Sequence, residues 1–112
     1  MIVDFRHYPL SKPLVINGRE FVEVIISSHY EIDHSVYMSD EKILSIVKQL
    51  DKRNDFTPHH QGKLPNGAEW QSFFREPIFY ENKALCLVWY WQSNTNYLWI
   101  LNCFRKKKYE KK

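Results

Sequence analysis

The clearest pattern in the chain is Leu14-Val-Ile16, then Asn17-Gly18, then Arg19-Glu-Phe-Val-Glu-Val-Ile-Ile26. Two apolar runs separated by Asn-Gly predict a β-hairpin, because that dipeptide supplies the two positive φ angles of a type I′ turn. Pairing Ile16 with Arg19 sets Leu14 opposite Phe21. Pro9 and Pro13 confine the segment before the hairpin to an edge or a loop, since proline cannot donate to a ladder. After Ser27 the pattern changes. Ser28-His29-Tyr30-Glu31 has the Ser-x-x-Glu form of a capping box and predicts a short helix over 29–36. The competing reading continues the strand, with Tyr30, Ile32 and His34 alternating on one face. Ser39 followed by Asp40 and Glu41, with Ile43, Ile46, Val47 and Leu50 at helical spacing, predicts a second helix over 40–53.

Residues 54–68 lack a period and carry two Pro and two Gly, so they read as a long loop, and loops of that length are often functional. From Glu69 onward the pattern is strand: Trp70 to Phe74, Ile78 to Tyr80, Ala84 to Trp91 and Tyr97 to Arg105. The turns between the last three fall at 81–83 and 93–96. The expected architecture is therefore α+β: an N-terminal β-hairpin, two helices, then a three- to four-stranded antiparallel sheet. In the terminal hairpin, opposing Gln92 and Tyr97 sets Cys86 against Cys103, Val88 against Leu101 and Tyr90 against Trp99. Asn102 then stands on an otherwise apolar stripe, where it needs a hydrogen-bond partner.

Composition changes this picture little. The 112 residues, 44% hydrophobic and 26% charged, fit one globular domain and exclude disorder. No apolar run reaches the roughly 20 residues of a membrane-crossing helix, and the N-terminus does not read as a signal peptide, so the expected location is cytoplasmic. Charge changes more. Residues 105–112 carry six bases and one acid, whereas residues 1–104 carry ten bases and twelve acids. The chain thus reads as a mildly acidic domain over 1–105 followed by a basic tail over 106–112, suited either to solubility or to a polyanion.

No phosphate-binding loop, dinucleotide fingerprint, zinc-peptidase motif or nucleophile elbow is present. The two cysteines lack metal spacing and read as buried hydrophobes, with a cross-strand disulfide, or a redox pair, as the alternative. The adjacent His59 and His60 read as loop residues and are poorly spaced to share a metal. That leaves His29 and His34, flanking the first helix, and Arg105 with Lys106, Lys107 and Lys108 at the end of the last strand. Histidine is the natural acid or base near neutral pH, and metal-free RNA cleavage needs a base, an acid and cations for the phosphorane. Trp89, Tyr90, Trp91, Tyr97 and Trp99 would stack bases if exposed, but read mostly as core.

Ser28-His29 at a helix start, Ser39-Asp-Glu-x-Ile43 at a second, then Leu85-Cys-Leu-Val-Trp-Tyr90 and Leu98-x-Ile-x-Asn-x-Phe-Arg105 on paired strands resemble the RelE/ParE-type toxins, most of all their BrnT-like branch. The resemblance runs over roughly residues 20–108 as an order of elements. It implies a compact ribonuclease that cuts mRNA without metal or cofactor and is neutralised by a cognate antitoxin protein. His29 would match the histidine at the helix start, and Arg105 the basic residue of the last strand. The leading expectation is thus an endoribonuclease with His29 or His34 as base or acid, Arg105 on the phosphorane and Lys106 to Lys108 on the RNA. The alternative is a non-catalytic module that binds protein or nucleic acid, such as an inhibitor, immunity or effector-associated protein.

Overall fold

A computed structural model describes residues 3–34 and 37–110, leaving out the side chains of residues 33 and 34. The hairpin forms where the Asn-Gly signal places it. β1 (Phe5–Ile16) pairs with β2 (Arg19–Ser27), with Ile16 opposite Arg19 and Leu14 opposite Phe21. Asn17 and Gly18 both take positive φ, 53° and 77°, as a type I′ turn requires. β1 reaches further back than the apolar run, to Phe5, and is an edge strand, which is where its two prolines are tolerated.

After β2 the chain makes a 3-10 turn (Ser28–Tyr30), a four-residue helix α1 (Glu31–His34), and α2 (Asp40–Val47), which a second 3-10 turn extends to Leu50. Ser39 caps α2 as its sequence promises, its hydroxyl accepting from the Lys42 N–H. Four strands follow: β3 (His60–Lys63), β4 (Glu69–Tyr80), β5 (Lys83–Gln92) and β6 (Tyr97–Arg105). A 3-10 turn over Lys107–Tyr109 closes the described chain.

The fold class differs from the expected α+β arrangement. All six strands form one mixed sheet in the order β1-β2-β6-β5-β4-β3, and the helical part is small. The N-terminal hairpin does not stand apart from the later strands. β2 runs parallel to β6, Glu23–Ile26 against Tyr97–Ile100, and every other neighbouring pair is antiparallel. The physical reason is edge pairing. Val24 and Ile26 match Leu98 and Ile100 on one face, so joining β2 to β6 satisfies two strand edges and merges two apolar surfaces. One sheet face then needs only a small cover. Ile43, Ile46, Val47 and Leu50 of α2 and its extension supply it, joined by Tyr30, Met38 and Phe56 from the connections.

The expected first helix over 29–36 shrinks to the turn and α1, and its positions 35 and 36 lie outside the described residues. Its capping box does not form. Ser27, rather than Ser28, accepts from the His29 N–H, while the Ser28 hydroxyl accepts from the Asp4 N–H of β1. The second helix stops at Val47 in α form and at Leu50 as a 3-10 turn, short of 53. The segment read as an unbroken loop over 54–68 contains β3, a four-residue edge strand.

The β5–β6 register begins as expected, with Tyr90 opposite Trp99, and then shifts between Val88 and Trp89. Leu101 is the unpaired extra residue of a bulge, so Val88 opposes Asn102, Leu87 opposes Cys103 and Cys86 opposes Phe104. The bulge puts Cys103 into the core in place of Asn102, whose side-chain oxygen accepts from the Cys103 N–H. It also places the two cysteines on opposite faces of the sheet. Both are buried free thiols, and burial pushes each of them up to about 12.

Candidate nucleic-acid interface

Side chains alternate across a strand, so one covered face implies a second face of equal length. Here the buried apolar side chains of the helices all join the cluster on one side, with Trp89, Trp91 and Phe73. On the other side lie Phe5 and His7 of β1, Ile25 of β2, Tyr97 and Trp99 of β6, Val88 and Tyr90 of β5, and Trp70 and Phe74 of β4. Of these Ile25 is buried by its neighbours, whereas Phe5 is 49% and Phe74 45% exposed.

The rings on this face form a row across the strands. Trp70 lies near parallel to Tyr90, with centroids 6.0 Å apart and planes at 28°. Tyr90 meets Trp99 edge to face at 6.2 Å, and Trp99 meets Phe5 in the same manner at 5.5 Å. Each contact has the geometry aromatic quadrupoles favour. Trp70 owes its posture to Gly62 on β3: a Cβ there would stand 2.9 Å from the indole Nε1. The Tyr90 hydroxyl accepts from the Gln92 side chain at 3.0 Å. At the β3 edge, His59 packs edge to face on Phe74 at 4.8 Å, and its ring centroid is 4.2 Å from that of His60. Both histidines are exposed.

The foot of the face is ionic. Lys106 lies 5.8 Å from the centre of the Phe104 ring and 3.7 Å from the Glu76 carboxylate. The Tyr109 hydroxyl donates to Glu76 at 2.9 Å. Burial raises the Glu76 carboxyl, but hydrogen bonds from Tyr109 and Cys86 and the charges of Lys106 and Lys108 outweigh it and leave the group below its usual range. Lys107 and Lys108 are exposed on the adjoining turn.

Arg105 and His29 fall at the same end of the sheet, because β2 and β6 are parallel and both residues follow or close those strands. They are otherwise differently placed. His29 is exposed, whereas the Arg105 guanidinium is held by Glu110: Nη2 donates at 2.6 Å and Nε at 2.9 Å. The second oxygen of Glu110 also accepts the Ala84 N–H at 2.7 Å. Arg105 and that N–H together hold the Glu110 carboxyl at about 2. The tail is thus fastened to the domain as far as Glu110. The His34 side chain lies outside the described residues.

A second polar cluster ties β1 to α2. Asp40 accepts from Arg6 Nε and Nη2 at 2.5 and 2.7 Å, from the Tyr8 hydroxyl at 2.5 Å and from the Tyr30 hydroxyl at 2.7 Å. Burial pushes its carboxyl up, but these donors prevail and hold it at about 2. Its acceptor capacity is filled, which marks it as a structural anchor rather than a reactive acid.

Of the candidate aromatics, Trp89 and Trp91 are core residues, whereas Tyr90, Tyr97 and Trp99 lie on the open face. Phe5, Trp70 and Phe74 were not singled out by the sequence, although the alternation of Trp70, Ser72 and Phe74 against Gln71, Phe73 and Arg75 carried the signal. Among the described residues no three His, Cys, Asp or Glu side chains gather as a metal site, and no helix is long and apolar enough to cross a membrane. No family model, curated protein or solved structure matches the chain.

Proposed function

We propose that this protein binds single-stranded RNA on the open face of its sheet. The observation that carries the reading is the row of part-exposed rings Trp70, Tyr90, Trp99 and Phe5, with Lys106 further along the same face beside Phe104, past the end of β6. Unpaired bases have π-faces that stack on exposed rings without sequence readout, and flanking cations hold the backbone. The exposed Lys107 and Lys108 extend the cationic end. The test is fluorescence titration with a short single-stranded RNA at several salt concentrations. Binding should quench tryptophan emission and weaken with salt. Trp70→Ala should cost about 1–3 kcal/mol, the worth of one stacked base. A chain that keeps full affinity without Trp70 and Tyr90 would remove the platform from consideration, and absence of RNA binding would favour a protein partner for the same face.

A second reading adds cleavage to binding, with His29 or His34 as acid or base and Arg105 at the phosphorane, as in a toxin held in check by an antitoxin protein. It draws on the shared end of the sheet at which His29 and Arg105 lie. RNA incubated with the protein and a chelator should be cut, and the His29→Ala, His34→Ala double variant should leave binding intact while abolishing cutting. Cutting by that variant at the full rate would end the assignment.

A further inference from the structure

β1 leaves β2 after the Pro9–Glu23 pair and rejoins it at Leu14–Phe21. The intervening residues Leu10 to Pro13 form an arch, and between this arch and α2 lies a cavity of about 530 Å³. That size falls within the roughly 300–1,000 Å³ of small-molecule sites. Its lining is mainly apolar, with Pro9, Leu10, Pro13 and Leu44 at the surface over the buried Leu14, Val24 and Val47, and Ser11 among its polar residues. Pro9, just before the arch, and Pro13, at its end, fix the φ angles on either side of it, which resists collapse into the space beneath. Leu10 and Leu44 remain only partly buried against the core.

The polar groups at the rim are unequal. Asp51 accepts the Val15 N–H at 2.8 Å, and the Tyr8 hydroxyl is committed to Asp40. Lys12 and Lys48 are exposed, and among the described residues the lysine ion pairs are those of Lys42 and Lys106. Lys12 and Lys48 thus line the hollow against the single carboxylate of Asp51, which leaves a net charge of +1 beside its apolar walls. A cationic ligand would be repelled there, a bare anion would leave the walls wet, and a neutral hydrocarbon would make no use of the lysines.

We infer that this cavity binds a small single-chain amphiphile, its apolar tail between the arch and α2 and its carboxylate head at Lys12 and Lys48. The site lies on the helix-covered side of the sheet and is independent of RNA binding on the open face. The test is calorimetric titration of the full chain with hexanoate, octanoate and decanoate, with octanol as the neutral analogue. Binding should saturate at one per chain and strengthen about fourfold per added methylene until the hollow is full. Octanol should bind several-fold more weakly than octanoate, and Lys12→Gln with Lys48→Gln should erase that difference. Leu44→Trp, from the helix wall, and Leu10→Trp, from the arch, should each block binding, with thermal unfolding reporting that the variant is folded. Octanol binding as tightly as octanoate, no saturable binding, or binding that survives in a folded tryptophan variant would each overturn the inference.

Discussion

Asp40→Asn isolates the charge of the anchor that joins β1 to α2. The substitution keeps the shape of the side chain and one acceptor for the buried Tyr30 hydroxyl, but removes the ion pair with Arg6. The carboxyl is held at about 2 against an ordinary 3.8. Taken in full, that difference corresponds to roughly 2 kcal/mol of folding free energy at neutral pH. The Asp40 side chain is 15% exposed but the Arg6 side chain 32%, so water screens the pair and the expected cost is about 1–2 kcal/mol. The sign follows from a depressed carboxyl. Its contribution is present above the unfolded value near 4 and is lost as pH falls towards the folded value near 2. Urea unfolding of wild type and variant at pH 7, 5, 4 and 3 should show a gap of that size, constant to about pH 4.5 and narrowing below it. Other carboxylates, Glu110 among them, titrate in both proteins and cancel in the difference. A gap that is absent at neutral pH, or unchanged at pH 3, would refute the ionic account of the anchor.

Gly62→Ala should force the Trp70 ring off β3, weakening RNA binding by about the worth of one stacked base while changing stability by less than about 1 kcal/mol, as read by titration and thermal unfolding. Glu110→Gln should free Arg105 for a phosphate and steepen the slope of log affinity against log salt by about 0.7, whereas Arg105→Gln in the same background should cancel that gain. Cys86 and Cys103, both buried and raised to about 12, should resist a thiol reagent at pH 7 in the folded protein and react as two free thiols once it is unfolded.

What the sequence revealed was local. The Asn17-Gly18 turn and the Ser39 cap depend on residues within four positions, and both form as read. The Ser28-x-x-Glu31 signature is equally clear in sequence, yet its groups find partners elsewhere. The Ser28 hydroxyl serves Asp4, 24 residues away, and Glu31 pairs with Arg6, 25 residues away. Tertiary contacts outbid the local box, and the helix shortens. Strict alternation gave the β5–β6 register only as far as the Val88 bulge, because one extra residue reverses every face beyond it. The open aromatic face was illegible for a related reason. Alternation says which residues share a face, but the amount of helix available decides which face is covered. Here eight residues of α2 and a short extension cover one side alone.

The parallel seam between β2 and β6 also bears on how the chain reaches its fold. Arg19 donates to backbone carbonyls 73 and 76 residues further along, and the β2–β6 ladder spans a similar separation. Closing so long a loop costs entropy before any contact repays it, which places folding in the millisecond-to-second range of β-rich topologies rather than the microsecond range of helical ones. Until β6 is synthesised, the N-terminal hairpin has an unpaired central edge and Val24 and Ile26 have no sheet to join. During translation, the strand that completes the sheet must therefore arrive between β5, made just before it, and β2, made long before it, and a ribosome paused ahead of β6 would hold a hairpin open to pairing with its neighbours.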